Sequence, residues 1–289
     1  MKHLFFLLAI LLIATGCDDD NSNNNSNNTN NTNTNNTNNT NNLPLDPAIS
    51  VASQTLESLS TRITVTGATS NGNGWIAIRE ASETHDGTIL GYISVADGEN
   101  QFLNVDLMRP VMDSEILEAH LLSDAGSAGT FEPDGDDVAQ TLNSEPVIEE
   151  FTVTVPATTP AVRIFVENVG MAAFTVSSVE PVFFETLVGT EENNETLTLY
   201  AGWRYEIVNS APVAHPYELV TMGTTAAEDT VLLSQEDPGG LEENEDILWM
   251  EDEVTGALQF TIAPSLESVL TGYRCGVHTA SMRGQIIIQ

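Results

Sequence analysis

The chain has 289 residues, with 42 Asp+Glu against 8 Lys+Arg, a formal net charge of −34. Its one lysine is Lys2 and its arginines are scattered, so it has no basic patch to neutralise phosphates, which excludes nucleic-acid or anionic-membrane binding by charge. At 41% hydrophobic residues it can still build one or two cores, and an acidic, lysine-poor surface suits a saline habitat where salt screens self-repulsion.

Met1-Lys2-His3 is a short basic start, and Leu4 to Ile13 is an unbroken apolar run. That run is too short to span a bilayer and has the layout of a secretory signal. Ala14-Thr15-Gly16-Cys17 follows it with small residues and a cysteine, which resembles a bacterial lipobox. The resemblance implies a signal peptide over 1–16 and a lipid on Cys17, anchoring an exported protein to the cell envelope. An ordinary signal peptide cut nearby, leaving Cys17 free or removed, is the alternative. Asp18-Asp19-Asp20 and 22 residues of Asn, Thr and Ser alone then complete a segment over 17–44. It has nothing to bury and reads as a flexible tether.

From Pro44 onward, β-branched and aromatic segments alternate with Gly, Pro, Asn and Asp. Examples are Arg62-Ile63-Thr64-Val65-Thr66, Trp75-Ile76-Ala77-Ile78, Phe151-Thr152-Val153-Thr154-Val155 and Val162-Arg163-Ile164-Phe165-Val166. A period of two with frequent turn signals predicts an all-β protein of two sandwiches in tandem. Prolines 156 and 160 bracket small residues, so a linker is expected at 157–160, between domains at 45–156 and 161–289. In the first half Ser114 to Leu122 is the one helical candidate, and it also reads as a strand. The acidic loop from Asp124 to Asp137 departs from the calcium-loop template at its glycine and final glutamate, and is expected to be a solvated turn. His85 and His120 are expected to be ordinary surface or half-buried side chains. This domain resembles a small β-sandwich module of unassigned function found in exported proteins of salt-loving microbes.

With Cys17 committed to lipid, Cys275 has no disulfide partner in an exported chain, and such a thiol is a liability unless buried or bound. It lies in Tyr273-Arg274-Cys275-Gly276-Val277-His278-Thr279-Ala280-Ser281-Met282-Arg283, a loop leading into the last strand. About 60 residues upstream, Asn209-Ser210-Ala211-Pro212-Val213-Ala214-His215-Pro216-Tyr217 supplies a second histidine. One thiolate, two imidazoles and a thioether form the ligand set of a type 1 copper site: soft sulfur favours Cu(I), and imidazole suits both oxidation states. A buried free cysteine beside a core histidine is the metal-free alternative. Zinc matches a thioether poorly, and the five histidines contain no His-x-His pair of the kind multicopper oxidases need.

The order His…Cys-x2-His-x3-Met at the end of a β-sandwich resembles the cupredoxin family, which includes plastocyanin and amicyanin, over about 161–289. The resemblance implies a Greek-key sandwich, one copper ion, His215, Cys275 and His278 as equatorial ligands and Met282 as the axial one. It also implies single-electron transfer with unknown redox partner proteins and no catalytic residues, hence not an enzyme. The rival expectation is an extracellular binding or adhesion protein in which copper is structural, stored or absent. Residues 228–253 carry eleven acids and are expected to form a salt-solvated loop more than a docking site, and Trp249 a core aromatic. The acids divide evenly, 19 in 45–160 and 20 in 161–289, which marks habitat more than a binding face.

Overall fold

The computed structural model describes residues 45–133, 135–188 and 192–289. The expected signal peptide, lipidated Cys17 and Asn-rich tether lie outside the described residues. In chain order the first strands are β1 (Ala48–Ser50), β2 (Gln54–Thr55), β3 (Arg62–Ser70), β4 (Gly74–Glu80), β5 (Ile89–Val95), β6 (Gly98–Asp106), β7 (Ile116–Ser123), β8 (Thr141–Leu142), β9 (Glu145–Pro146) and β10 (Ile148–Thr154). They are followed by β11 (Val162–Val169), β12 (Ala173–Glu180), β13 (Leu197–Leu199), β14 (Arg204–Asn209), β15 (Tyr217–Thr221), β16 (Thr230–Ser234), β17 (Met250–Asp252), β18 (Ala257–Thr261), β19 (Gly272–Cys275) and β20 (Arg283–Ile288). Among the described residues helical structure is confined to short turns, and none of these helices is long and apolar enough to cross a membrane. The protein is all-β, built of sandwiched sheets.

Two sheets, β1-β3-β6 and β2-β10-β7-β4-β5, hold one core between them. Alternation creates it: Ile63 and Val65 of β3 are fully buried, while the alternate residues Arg62, Thr64 and Thr66 face outward. Two further sheets, β12-β11-β14-β18-β17 and β13-β20-β19-β15-β16, enclose a second core. There Leu258 and Phe260 point inward from β18 while Gln259 does not. Most pairs are antiparallel, but β2 joins β10, β11 joins β14 and β13 joins β20 in parallel.

The segment between the two pairs of sheets is tied down on both sides. Pro160 and Ala161 carbonyls accept bonds from Ser60 N–H at 2.9 Å and the Thr61 hydroxyl at 2.6 Å. Ala161 N–H reaches the Arg204 carbonyl at 2.7 Å, and the buried Arg204 guanidinium donates to the Thr158 and Leu248 carbonyls. Residues 44–289 accordingly form one compact unit. The stretch expected to be a linker, 157–160, is fastened at its carbonyls by donors on both neighbours.

Ser114–Leu122, the helical candidate, is strand β7 from Ile116. Both of its faces are covered: Leu117, Ala119 and Leu121 enter the core, while Glu118, His120 and Leu122 are buried on the opposite face. Uniform burial blurs the alternation that marks a strand. The acidic loop after it is not simply solvated either. Asp137 is 4% exposed and accepts from Ala125 N–H at 3.1 Å and Glu132 N–H at 2.7 Å. Its carboxylates satisfy the loop's own amides, which neither a calcium site nor a bare surface turn requires.

His85 and His120, expected to be ordinary surface or half-buried side chains, meet through Glu118, His85 exposed and His120 buried. The Glu118 carboxylate is buried and lies 2.9 Å from His85 Nδ1 and 2.9 Å from His120 Nε2. Burial opposes its charge, but hydrogen bonds from His120 and His85 outweigh burial and hold its carboxyl below the usual glutamate value. Burial in turn lowers the pKa of His120. A carboxylate with a depressed pKa stabilises the fold above its ordinary value and loses that contribution as pH falls through the folded value. Glu118→Ala is expected to cost about 2–3 kcal/mol at neutral pH, since His120 is left buried and unpaired. Urea unfolding should show the gap to wild type narrowing below pH 4.5, the ordinary glutamate value.

Candidate metal centre

The centre is assembled at the β15–β19 side of the second core. Antiparallel register sets Tyr217 opposite Cys275, so the turn carrying His215, two residues before Tyr217, comes beside the thiol. Gly276 N–H donates to the Pro216 carbonyl at 2.9 Å, locking the two segments together. On the ligand loop, Cys275 N–H bonds the Met282 carbonyl at 2.8 Å and Met282 N–H bonds the His278 carbonyl at 3.0 Å. The loop therefore closes on itself between strand ends. Gly284, the second residue of β20, is a glycine because a Cβ there would lie 2.2 Å from the Tyr273 ring that crosses it.

Three donor atoms converge. Cys275 Sγ is 3.9 Å from His215 Nδ1 and 3.7 Å from His278 Nδ1, and the two nitrogens are 3.2 Å apart. Ligand atoms about 2.0–2.3 Å from a shared ion stand no more than about 4.5 Å apart, and each separation meets that limit. Cys275 is fully buried, His215 is buried and His278 is half-buried, so the group is reached from the His278 side. Burial, then the neighbouring His278, lowers the pKa of His215, which favours the neutral imidazole a metal needs. His278 N–H donates to Cys275 Sγ at 3.3 Å, a bond that supports negative charge on sulfur. Lone-pair atoms of one thiol and two imidazoles facing one another this closely suit a soft cation between them, and so the residues fit a metal.

Met282, the expected axial residue, is fully buried at the end of the same loop. Met222 is half-buried and Met250 exposed. Trp249 is half-buried against the second core.

Sequence reasoning gave no role to the residues that hold His215. Asn209, 1% exposed, donates from Nδ2 to the His215 carbonyl at 2.7 Å and to Gln235 Oε1 at 2.9 Å. Its Oδ1 accepts from Ala211 N–H, and Gln235 Oε1 also accepts from Tyr217 N–H. One amide pair thus fixes the chain on both sides of the ligand. An Asn six residues before a His, at the end of a strand, was the available signal.

The fold and site define a β-sandwich protein with a buried His2Cys group able to hold a metal ion. Residues 47–154, the first sandwich, match a family described as "Domain of unknown function (DUF7282)". That match is compatible with the unassigned module expected there and leaves 161–289 to be read from its own residues. No curated protein matches the chain.

Proposed function

We propose that the protein is an exported, envelope-tethered electron-transfer protein with one type 1 copper ion in residues 161–289. In this reading His215, Cys275 and His278 hold the ion and Met282 supplies the axial thioether, as the likeness to cupredoxins implies. The observation that carries it is the mutual approach of Cys275 Sγ and the two Nδ1 atoms within 4.8 Å, built from segments 60 residues apart. Bound copper would supply a Cu(I)/Cu(II) couple able to take up and release one electron.

The chain's own residues prepare that couple and its access. The Asn209–Gln235 pair and the Cys275–Met282 backbone bond keep the donors in place, which limits rearrangement between oxidation states. Cys275 is shut away from water, while half-buried His278 offers an outer edge flanked in sequence by exposed Val277. An exposed valine next to one accessible polar ring suits brief contact with a redox partner protein. The lipobox-like Cys17 and the acidic, lysine-free mature chain support anchoring at the envelope in a saline medium.

Adding Cu(II) to the purified protein is expected to produce an intense blue thiolate-to-copper absorption that a reductant bleaches and an oxidant restores. Bound copper that stays colourless or does not cycle would overturn the electron-transfer reading. It would favour instead a display or adhesion scaffold with structural or stored metal.

A further inference from the structure

The ligand loop is flanked by two arginines, Arg274 immediately before Cys275 and Arg283 immediately after Met282. They are direct cross-strand partners in the β19–β20 register. Like charges directly opposite one another repel and would spread the strand ends from which the loop departs. Both guanidiniums instead turn to one carboxylate. Asp229, whose side chain is fully buried, lies 3.0 Å from Arg283 Nε, 2.6 Å from Arg283 Nη2 and 3.5 Å from Arg274 Nη1.

The surroundings complete the arrangement. Glu218, opposite Arg274 on β15, accepts from its Nε at 2.7 Å. The Ala226 carbonyl takes Arg274 Nη1 and the Gly223 carbonyl takes Arg283 Nη2. Asp229 itself is fixed by Gly223 N–H, and the turn before it is closed by the reciprocal capping of Thr225 and Glu228. The acidic stretch 228–253, expected to form a salt-solvated loop more than a docking site, thus contributes Asp229 to the interior, where two arginines neutralise it. Bidentate pairing to a planar guanidinium fixes direction as well as distance.

We propose that Asp229 is a positioning residue: by drawing Arg274 and Arg283 together it sets the width of the strand mouth from which Cys275, His278 and Met282 are presented. The inference rests on reading that loop as the metal loop, yet the clamp makes a prediction without metal. Removing the charge leaves Arg283 without a carboxylate partner and facing Arg274, which keeps only Glu218 to offset its charge. The strand ends then part at the loop, while the far side of the core stays closed.

The test compares wild type, Asp229→Asn, Asp229→Glu and a control, Asp237→Asn, which removes an exposed charge from the same acidic stretch. In metal-free protein, the Cys275 amide of Asp229→Asn should exchange hydrogen about tenfold faster or more, while the Leu219 amide changes far less. With Cu(II), Asp229→Asn should show a displaced thiolate band and a shifted reduction potential, Asp229→Glu a partial return and Asp237→Asn neither effect. Equal acceleration at Cys275 and Leu219 would reduce Asp229 to a general stabiliser and overturn the proposal. So would exchange at Cys275 and a copper spectrum that both match wild type. Should Asp229→Asn fail to fold, the same comparison on Arg283→Gln decides it. If wild type itself gives no blue band, the copper reading falls, and the exchange of the Cys275 amide still settles the clamp.

Discussion

Cys275→Ser is expected to abolish the blue absorption of the copper-loaded protein completely and to weaken copper binding by about 100-fold or more. The intense band requires a thiolate, and serine has no sulfur from which charge can transfer. Loss of an outer partner of a ligand alone lowers affinity about 10–100-fold, so loss of the ligand exceeds that range. The replacement is close in shape, and His278 N–H would meet the serine oxygen where it now meets Sγ. The fold should therefore persist, and unchanged far-ultraviolet circular dichroism would show that the missing colour is a loss of chemistry. A blue band surviving in Cys275→Ser would mean that the metal binds elsewhere. His278→Ala provides the complementary case: the half-buried ligand is removed while Cys275 and His215 stay, so binding should weaken but the sulfur-derived band should remain detectable at high copper.

Phe260→Ala is expected to destabilise the second sandwich by about 3–5 kcal/mol, the usual cost of deleting a buried aromatic ring and leaving a cavity. Phe260 has no exposed surface and stacks on Tyr205 at 6.1 Å between centroids, across the β14–β18 pair. Tyr205 in turn accepts the Tyr200 N–H, so collapse into the vacated space would break that bond. The site offers little room to relax. The cost is to be read from the urea midpoint of metal-free protein, because bound copper would add its own stabilisation to the folded state. Val254→Ala, at a side chain 93% exposed, should shift the midpoint by no more than about 0.5 kcal/mol.

Much of the sandwich was legible because half-buried strands write their geometry into alternation, as in Arg62-Ile63-Thr64-Val65. It failed at β7, where Glu118 and His120 are buried on the face that should have met water. A sequence records polarity, and a polar residue satisfied by a partner far along the chain looks the same as one in solvent. The same blindness hid Asp229 among the acids of 228–253. The donor types and their local spacing in Cys275-x2-His278-x3-Met282 were visible, because that loop is short and continuous. Asn209 and Gln235 were not, since their role is to hold the carbonyl of His215 and the backbone beside it.

By itself the sequence determined the acidic, lysine-poor character of the chain, its all-β class and the soft donors it can offer a metal. These follow from composition and from short-range pattern, which need no knowledge of what lies across the fold. The tertiary structure alone decided that His215 meets Cys275 and His278, since the β15–β19 register brings residues 60 positions apart to within 3.9 Å, close enough to share an ion. It also decided which acids are interior. Burying a carboxylate is unfavourable until a partner neutralises it, and only folding brings histidines to Glu118 and arginines to Asp229.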